Sequence, residues 1–292
     1  MSIEISVLMS VRNGENHLHE SIKSILNQSY KDFEFLIFND GSVDKTKEIL
    51  SKFAALDPRI KIYHNDYSAG LPHALNKLIK RSRGTYIARM DADDVAENNR
   101  LQTQLNFMRK NPSTDICFTK TNLILENGEF LCTKWFPKKI DSALLLLPYI
   151  NYFVHPSCFL KKECFEKHGL YNEKFLKAQD WELWQRFIKK GVQFSYIPET
   201  LMNYRIVATS NSSSLSNSGN LESNWLKAKL FIINHHKLEA LKFANKISKK
   251  NILNFYLYIL VPRFIFTFLV ILNKHLNKSS VHQKLLRQDD KQ

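Results

Sequence analysis

From Glu4 onward, short apolar runs alternate with stretches in which apolar residues recur at helical spacing. Glu4 to Ser10 predicts a strand, broken by Arg12-Asn13-Gly14. Leu18, Ile22, Ile25 and Leu26 then fall at i, i+4, i+7 and i+8, which places them on one face of a helix ending near Gln28. Phe33 to Phe38 predicts a second strand, stopped by Asn39-Asp40-Gly41-Ser42. In the helix that follows, Ser42 or Asp44 is placed to cap the first turn, with Ile49, Leu50 and Phe53 facing inward. Ile60 to Tyr63 predicts a third strand and Leu71, Leu75, Leu78 and Ile79 a third helix. A fourth strand runs from Thr85 to Met90.

This alternation predicts an α/β fold with a mostly parallel central sheet and helices packed on its faces. Ligands of such sheets bind at the carboxyl ends of the strands. The polar breaks Arg12-Asn13, Asn39-Asp40 and Asp91 to Asp94 all stand at those ends. After a helix from about Asn99 to Asn111 the alternation stops. Ile116 to Leu125 and Phe130 to Lys134 flank Asn127-Gly128, a hairpin turn signal, and Pro137 to Pro148 predicts a short helix. A further helix opens at Gln179 and runs to Lys190, where Gly191 ends it.

Three carboxylates within four residues, Asp91, Asp93 and Asp94, repel one another unless a cation, backbone N–H groups or water compensate them. Asp91 and Asp93 lie two apart, so in an extended segment both project to one side and can approach one ion. Mg²⁺ or Mn²⁺ suits such a pair, since both take oxygen ligands and are commonly held by one or two carboxylates together with phosphate. The alternative is an acidic turn in which Asp94 caps the helix beginning near Asn99. A dinucleotide-binding oxidoreductase is disfavoured, because no Gly-x-Gly-x-x-Gly follows the first strand. Asp180 sits in the first turn of its helix, where the helix dipole favours the charged form, while Trp181 and Trp184 desolvate it. A carboxylate that is ionised yet partly shielded suits a general base.

The net charge of +14 is concentrated at one end, with 13 Lys and Arg against 4 Asp and Glu in residues 221–292. A basic tail implies an anionic partner surface. Phe255 to Leu272 is its most apolar run, interrupted by Pro262-Arg263. We expect two short helices lying in a membrane interface rather than a span, with a C-terminal core helix pair as the alternative. Cys117, Cys132, Cys158 and Cys164 show neither metal-ligand spacing nor a dense disulfide pattern, and Met1 to Glu4 lacks the features of a secretory signal. The expected location is cytoplasmic, peripheral at the inner face of the cytoplasmic membrane.

In order along the chain stand Ser6-Val7-Leu8-Met9-Ser10 with Asn13, Asn39-Asp40-Gly41-Ser42, Gly70-Leu71 with Leu75-Asn76, and Ala88-Arg89-Met90-Asp91-Ala92-Asp93-Asp94. After these come His155-Pro156, Gln179-Asp180-Trp181-Glu182-Leu183-Trp184 and Tyr204-Arg205. Over roughly residues 4 to 206 the chain resembles the family 2 glycosyltransferases, inverting enzymes of GT-A fold that build bacterial cell-surface glycans. The resemblance implies transfer of a sugar from a nucleotide donor, most often a UDP-sugar, to an acceptor hydroxyl. The acceptor class is lipopolysaccharide, capsule or a lipid-linked oligosaccharide, and the cofactor is Mn²⁺ or Mg²⁺. It also implies that Ser10, Arg12 and Asn13 line the nucleotide pocket and that Asp40 contacts the base. Asp91 would reach the ribose or the metal shell, Asp93 would ligate the metal, and Asp180 would be the catalytic base.

On this basis residues 1–114 form a nucleotide-sugar-binding α/β half and residues 115–220 the acceptor-binding and catalytic-base half of the same domain. Residues 221–292 form a basic, apolar helical tail. One departure is Val207, where relatives often carry a histidine after Tyr204-Arg205. A sugar-nucleotide nucleotidyltransferase is the alternative enzyme, though Arg12-Asn13-Gly14 is a poor phosphate loop for it. A nucleic-acid binder is the alternative from another class. The apolar character of the tail and the lack of a nucleic-acid motif oppose it, so no nucleic-acid partner is expected.

Overall fold

The computed structural model describes residues 3–148 and 151–207. The basic segment 221–292 with its run Phe255 to Leu272, on which the membrane expectation rests, lies outside the described residues. Among the described residues no helix is long and apolar enough to cross a membrane.

Four parallel strands come first: β1 (Ile5–Val11), β2 (Phe33–Asp40), β3 (Ile60–Asn65) and β4 (Tyr86–Asp91), in spatial order β3-β2-β1-β4. β1 has neighbours on both sides, so it reads as an apolar run, and only Ser10 at its carboxyl end escapes full burial. Helices α1 (Leu18–Leu26), α2 (Thr46–Leu56) and α3 (Leu71–Arg81) make the crossovers. In α1 the apolar positions read from the sequence are those that pack, since Leu18, Ile22 and Ile25 are fully buried. Each contributes about 1.5–3 kcal/mol of transfer free energy. The N-cap of α2 is Lys45, which makes no side-chain cap, rather than Ser42 or Asp44. Asp44, one residue earlier, accepts from Thr46 N at 3.0 Å through Oδ1, and Ser42 is engaged elsewhere.

Past β4 the sheet changes direction. β5 (Val95–Ala96) and helix α4 (Arg100–Lys110) lead to the hairpin of β6 (Ile116–Ile124) and β7 (Phe130–Thr133). Gly128 in its turn has φ +88°. Helices α5 (Ile140–Leu146), α6 (Glu163–His168) and α7 (Gln179–Lys189) and strands β8 (Phe159–Lys161) and β9 (Phe194–Arg205) complete the described chain. β8 lies antiparallel between β4 and β6, β6 is parallel to β9, and β9 is antiparallel to β5. One sheet of order β3-β2-β1-β4-β8-β6-β9-β5 results.

The expectation of a mostly parallel α/β sheet holds, but β5, β8 and β9 are additions to it. β5 and β8 are too short to show any periodicity. β9 contains Pro198-Glu199, which disguises it as a loop, and the sheet absorbs them where the β6–β9 register shifts around Lys120.

Candidate active site

At the carboxyl edge of the parallel strands, the β1–α1 and β2–α2 loops are joined by reciprocal bonds. Asn13 N donates to Ser42 Oγ at 2.9 Å and Val43 N donates back to Asn13 Oδ1 at 3.0 Å. Gly14 N and Glu15 N donate to Thr46 Oγ1 and Asp44 Oδ2, and Lys45 N donates to Glu15 Oε2. Asn13 makes this possible by adopting φ +52°, a left-handed conformation that asparagine tolerates. Ser10 is half-buried and in register with Asp91 on β4, whereas Arg12 and Asn13 are exposed.

Asp40, at the end of β2, is buried. Its carboxylate accepts from Ser68 Oγ at 2.8 Å and from Ala69 N and Gly70 N at 2.9 Å, which ties the β3–α3 loop to β2. Gly41 turns beneath that loop with φ +70°, and a Cβ there would meet Tyr67 and Ser68 backbone atoms at 2.6 Å.

The acidic turn after β4 is held from two further elements. Ser21 Oγ on α1 donates to Asp91 O at 2.8 Å. Arg205, at the end of β9 and 2% exposed, donates from its backbone N to Asp94 Oδ1 at 2.8 Å and from Nε to Asp93 O at 2.8 Å. Its Nη1 donates to Leu125 and Glu126 carbonyls and its Nη2 meets Glu20 at 2.5 Å. Asp94 is therefore not the cap of α4. It is buried against β9, and the N-cap residue of that helix, Asn99, makes no side-chain cap.

Carboxylate oxygens of Asp91, Asp93 and Asp94 converge to within 4.8 Å of one another, and Asp94 Oδ2 is buried without a hydrogen-bond partner among the described residues. Burial and the neighbouring Asp91 charge push the Asp93 carboxyl up to about 6, and the same causes push Asp94 well above the usual range. Such crowding suits a divalent cation with oxygen ligands, and Asp91 and Asp93, both half-buried, are the two with open access to it.

Asp180 is half-buried in the first turn of α7, entered through Ala178 at φ +56°. Asn151 Nδ2 donates to Asp180 Oδ2 at 2.9 Å. Burial raises its pKa, partly countered by the Trp181 backbone N–H, by Asn151 and by the Arg89 charge. Trp181 is a wall residue, donating from Nε1 to Leu147 O at 2.5 Å, and Trp184 is fully buried core. His155 is also buried, its Nε2 at 2.7 Å from Tyr171 Oη, and burial lowers its pKa well below the usual imidazole value. The segment leading to α7 is pinned by Asn76, which donates from Nδ2 to Tyr171 O and Glu173 Oε1 and accepts from Tyr171 N.

The sequence reading gave no role to Asn151, Arg205 or Arg89. Arg89 left a signal, being a charged residue in mid-strand on the same face as Asp91. Arg205 stood in the Tyr204-Arg205 motif without a role, and Asn151 left no signal, because its partner lies 29 positions away.

A mostly parallel sheet flanked by helices, with a carboxylate turn at the end of its fourth strand, is an architecture of the GT-A type. The description "Glycosyl transferase family 2" matches residues 6–169, and this chain belongs to that family. It is 36% identical over 206 residues to an uncharacterised glycosyltransferase of Methanocaldococcus jannaschii, covering 69% of this chain and 70% of the relative. It is also 36% identical over 207 residues to the O-antigen biosynthesis glycosyltransferase WbnJ of Escherichia coli, covering 69% and 79%. Among solved structures, S. aureus TarS 1–349 in complex with UDP-GlcNAc superposes with a TM-score of 0.62 at 16% identity, covering 87% of this chain and 73% of that one.

Proposed function

We propose that this glycosyltransferase moves a sugar, with inversion, from a UDP-sugar to a hydroxyl of a cell-surface glycan acceptor. The observation that carries the reading is the convergence of the Asp91, Asp93 and Asp94 carboxylates to within 4.8 Å after β4, supported by the half-buried Asp180 in the first turn of α7. The kinship with an O-antigen glycosyltransferase supports the acceptor class, and the UDP-GlcNAc complex of TarS supports the donor class.

On this reading Ser10, Arg12 and Asn13 line the nucleotide side. Asp40 has three of its roughly four lone-pair sites taken by the β3–α3 loop, which leaves one for a base N–H. Asp91 and Asp93 hold Mn²⁺ or Mg²⁺, which supplies Lewis-acid stabilisation of the diphosphate. Asp180 takes the proton of the acceptor hydroxyl as its oxygen attacks the anomeric carbon from the face opposite the diphosphate. The passage is oxocarbenium-like, as in other glycosyl chemistry, and needs no covalent enzyme intermediate.

Nucleoside diphosphate release from UDP-, GDP- and dTDP-sugars, with Mn²⁺, Mg²⁺ or EDTA, tests this. One donor turning over only with metal, and not in Asp93→Ala or Asp180→Asn, is the expected result. Thermal shift read in the same samples separates an idle enzyme lacking its acceptor from one that binds no nucleotide at all. The latter outcome would sink the reading.

A further inference from the structure

Asn76 lies in the middle of α3 and is 5% exposed. Its amide is spent on a segment far along the chain. Nδ2 donates to Tyr171 O and to Glu173 Oε1, each at 2.9 Å, and Oδ1 accepts from Tyr171 N at 2.9 Å. His73, one turn earlier on the same helix face, meets the other Glu173 oxygen at 3.0 Å.

The residues just before Tyr171 are held from a second helix. Arg186 of α7 donates from Nη1 to His168 O at 2.6 Å and Gly169 O at 3.1 Å, and from Nη2 to Leu170 O at 2.7 Å. Its Nε donates to Glu182 Oε1 at 2.8 Å. Residues 168–173 are thus a strut whose backbone is bonded by side chains of α7 at one end and of α3 at the other. Each helix also has an end at the candidate site. α3 starts after Ala69 and Gly70, whose N–H groups bond the Asp40 carboxylate, and the first turn of α7 carries Asp180. The loop into α7 returns to the start of α3, since a Cβ on Gly70 would lie 3.1 Å from Leu176 Cδ2.

Resting on the transferase reading above, we propose that Asn76 and Arg186 are positioning residues that together set the helix bearing Asp180 in register with the helix that begins at the Asp40 loop. Neither need touch substrate. Apolar contacts such as Phe165 on Phe187, with ring centroids 5.8 Å apart, hold α7 in place without fixing its direction or register. An amide that meets both the N–H and the C=O of one residue does fix them, and so does a guanidinium fork spanning three successive carbonyls. The register matters because a displacement of about 1 Å in a reacting group costs on the order of 10²-fold in rate.

The test uses the full chain carrying Asn76→Ala or Arg186→Met. Hydrogen exchange of the free protein comes first, since it needs no substrate. Amides of residues 182–186 should exchange at least about ten-fold faster in either variant, while β1, β2 and β4 keep wild-type protection. Unchanged protection of α7, or a loss spread evenly over the sheet, would overturn the proposal, and neither result bears on the transferase reading. Glu182→Gln removes the ion pair within α7 but leaves the fork to the three carbonyls, so it should change exchange by less than about three-fold. A loss equal to that of Arg186→Met would assign the effect to helix stability alone and count against the strut. If Asn76→Ala does not fold, Arg186→Met, whose side chain is already 25% exposed, decides the matter.

The second readout is turnover well below the Tm of each variant. Relative to wild type, kcat for diphosphate release should fall by about ten- to a hundred-fold with donor KM within about three-fold. Because both side chains act on one strut, the double variant should be slower than the worse single variant by less than about three-fold. A lowered Tm with wild-type kcat is what a purely structural pair would give, and it would overturn the assignment.

Discussion

The acidic turn and Asp180 are secured in different ways. The turn is bound by Ser21 from α1, by Arg205 from β9 and by Arg89 from β4, and the adjoining β1–α1 and β2–α2 loops are joined through Asn13, Ser42, Asp44 and Thr46. Asp180 has one side-chain donor, Asn151, and the start of its own helix. The difference teaches that the acidic turn and its adjoining loops are braced from several elements at once. Asp180 has fewer such bonds, and desolvation raises its proton affinity.

The sharpest way to break this contrast is Asp180→Asn. We expect rate to fall by about 10²–10⁴-fold, measured as diphosphate release. Stability should move the other way. Because the folded pKa of Asp180 is raised, its contribution to stability is full below the unfolded value and is lost as pH rises through the folded one. The Tm of Asp180→Asn relative to wild type should therefore climb from about pH 4 upward, and a flat difference would contradict the burial effect.

Next in size is Arg205→Ala, which leaves the carbonyls of Asp93, Leu125 and Glu126 without their donor. A loss of about 3 kcal/mol in urea unfolding is expected, and less than about 1 kcal/mol would mean the clasp is dispensable.

On the braced side, Gly41→Ala forces a Cβ into the Ser68 backbone at a left-handed φ and should cost about 2 kcal/mol together with nucleotide affinity. The smallest effect belongs to Asn151→Ala. Removing a bond that favours charged Asp180 should shift the acidic limb of the rate profile upward and slow turnover near pH 6 by up to about ten-fold. An unchanged limb would show that Asn151 acts only on the loop.

Much of residues 1–114 was legible because its patterning is local. Strand, break and helix follow one another within a few residues, and parallel connectivity obliges the breaks to meet at one edge. Asp91, Asp93 and Asp180 stood out for the same reason, as carboxylates at a strand end and in a helix first turn. The second half was less legible. β8 has three residues, and β9 hides a Pro198-Glu199 interruption that only pairing with β6 accommodates. Asp94 illustrates the limit well: its sequence position suggests a helix cap, while its actual partner is the backbone of Arg205, 111 positions away.

Taken alone, the sequence determined which residues carry charge, which faces are apolar and in what order the elements come, since these depend on side-chain chemistry and short-range spacing. Tertiary structure decided which charges meet. Only the folded sheet buries Arg89 against Asp91, brings Arg205 onto the acidic turn and gives Asp180 its partial shielding. The physical reason is that Coulomb interaction and desolvation depend on distance through space and on what surrounds a group, and neither is a property of the order of residues along the chain.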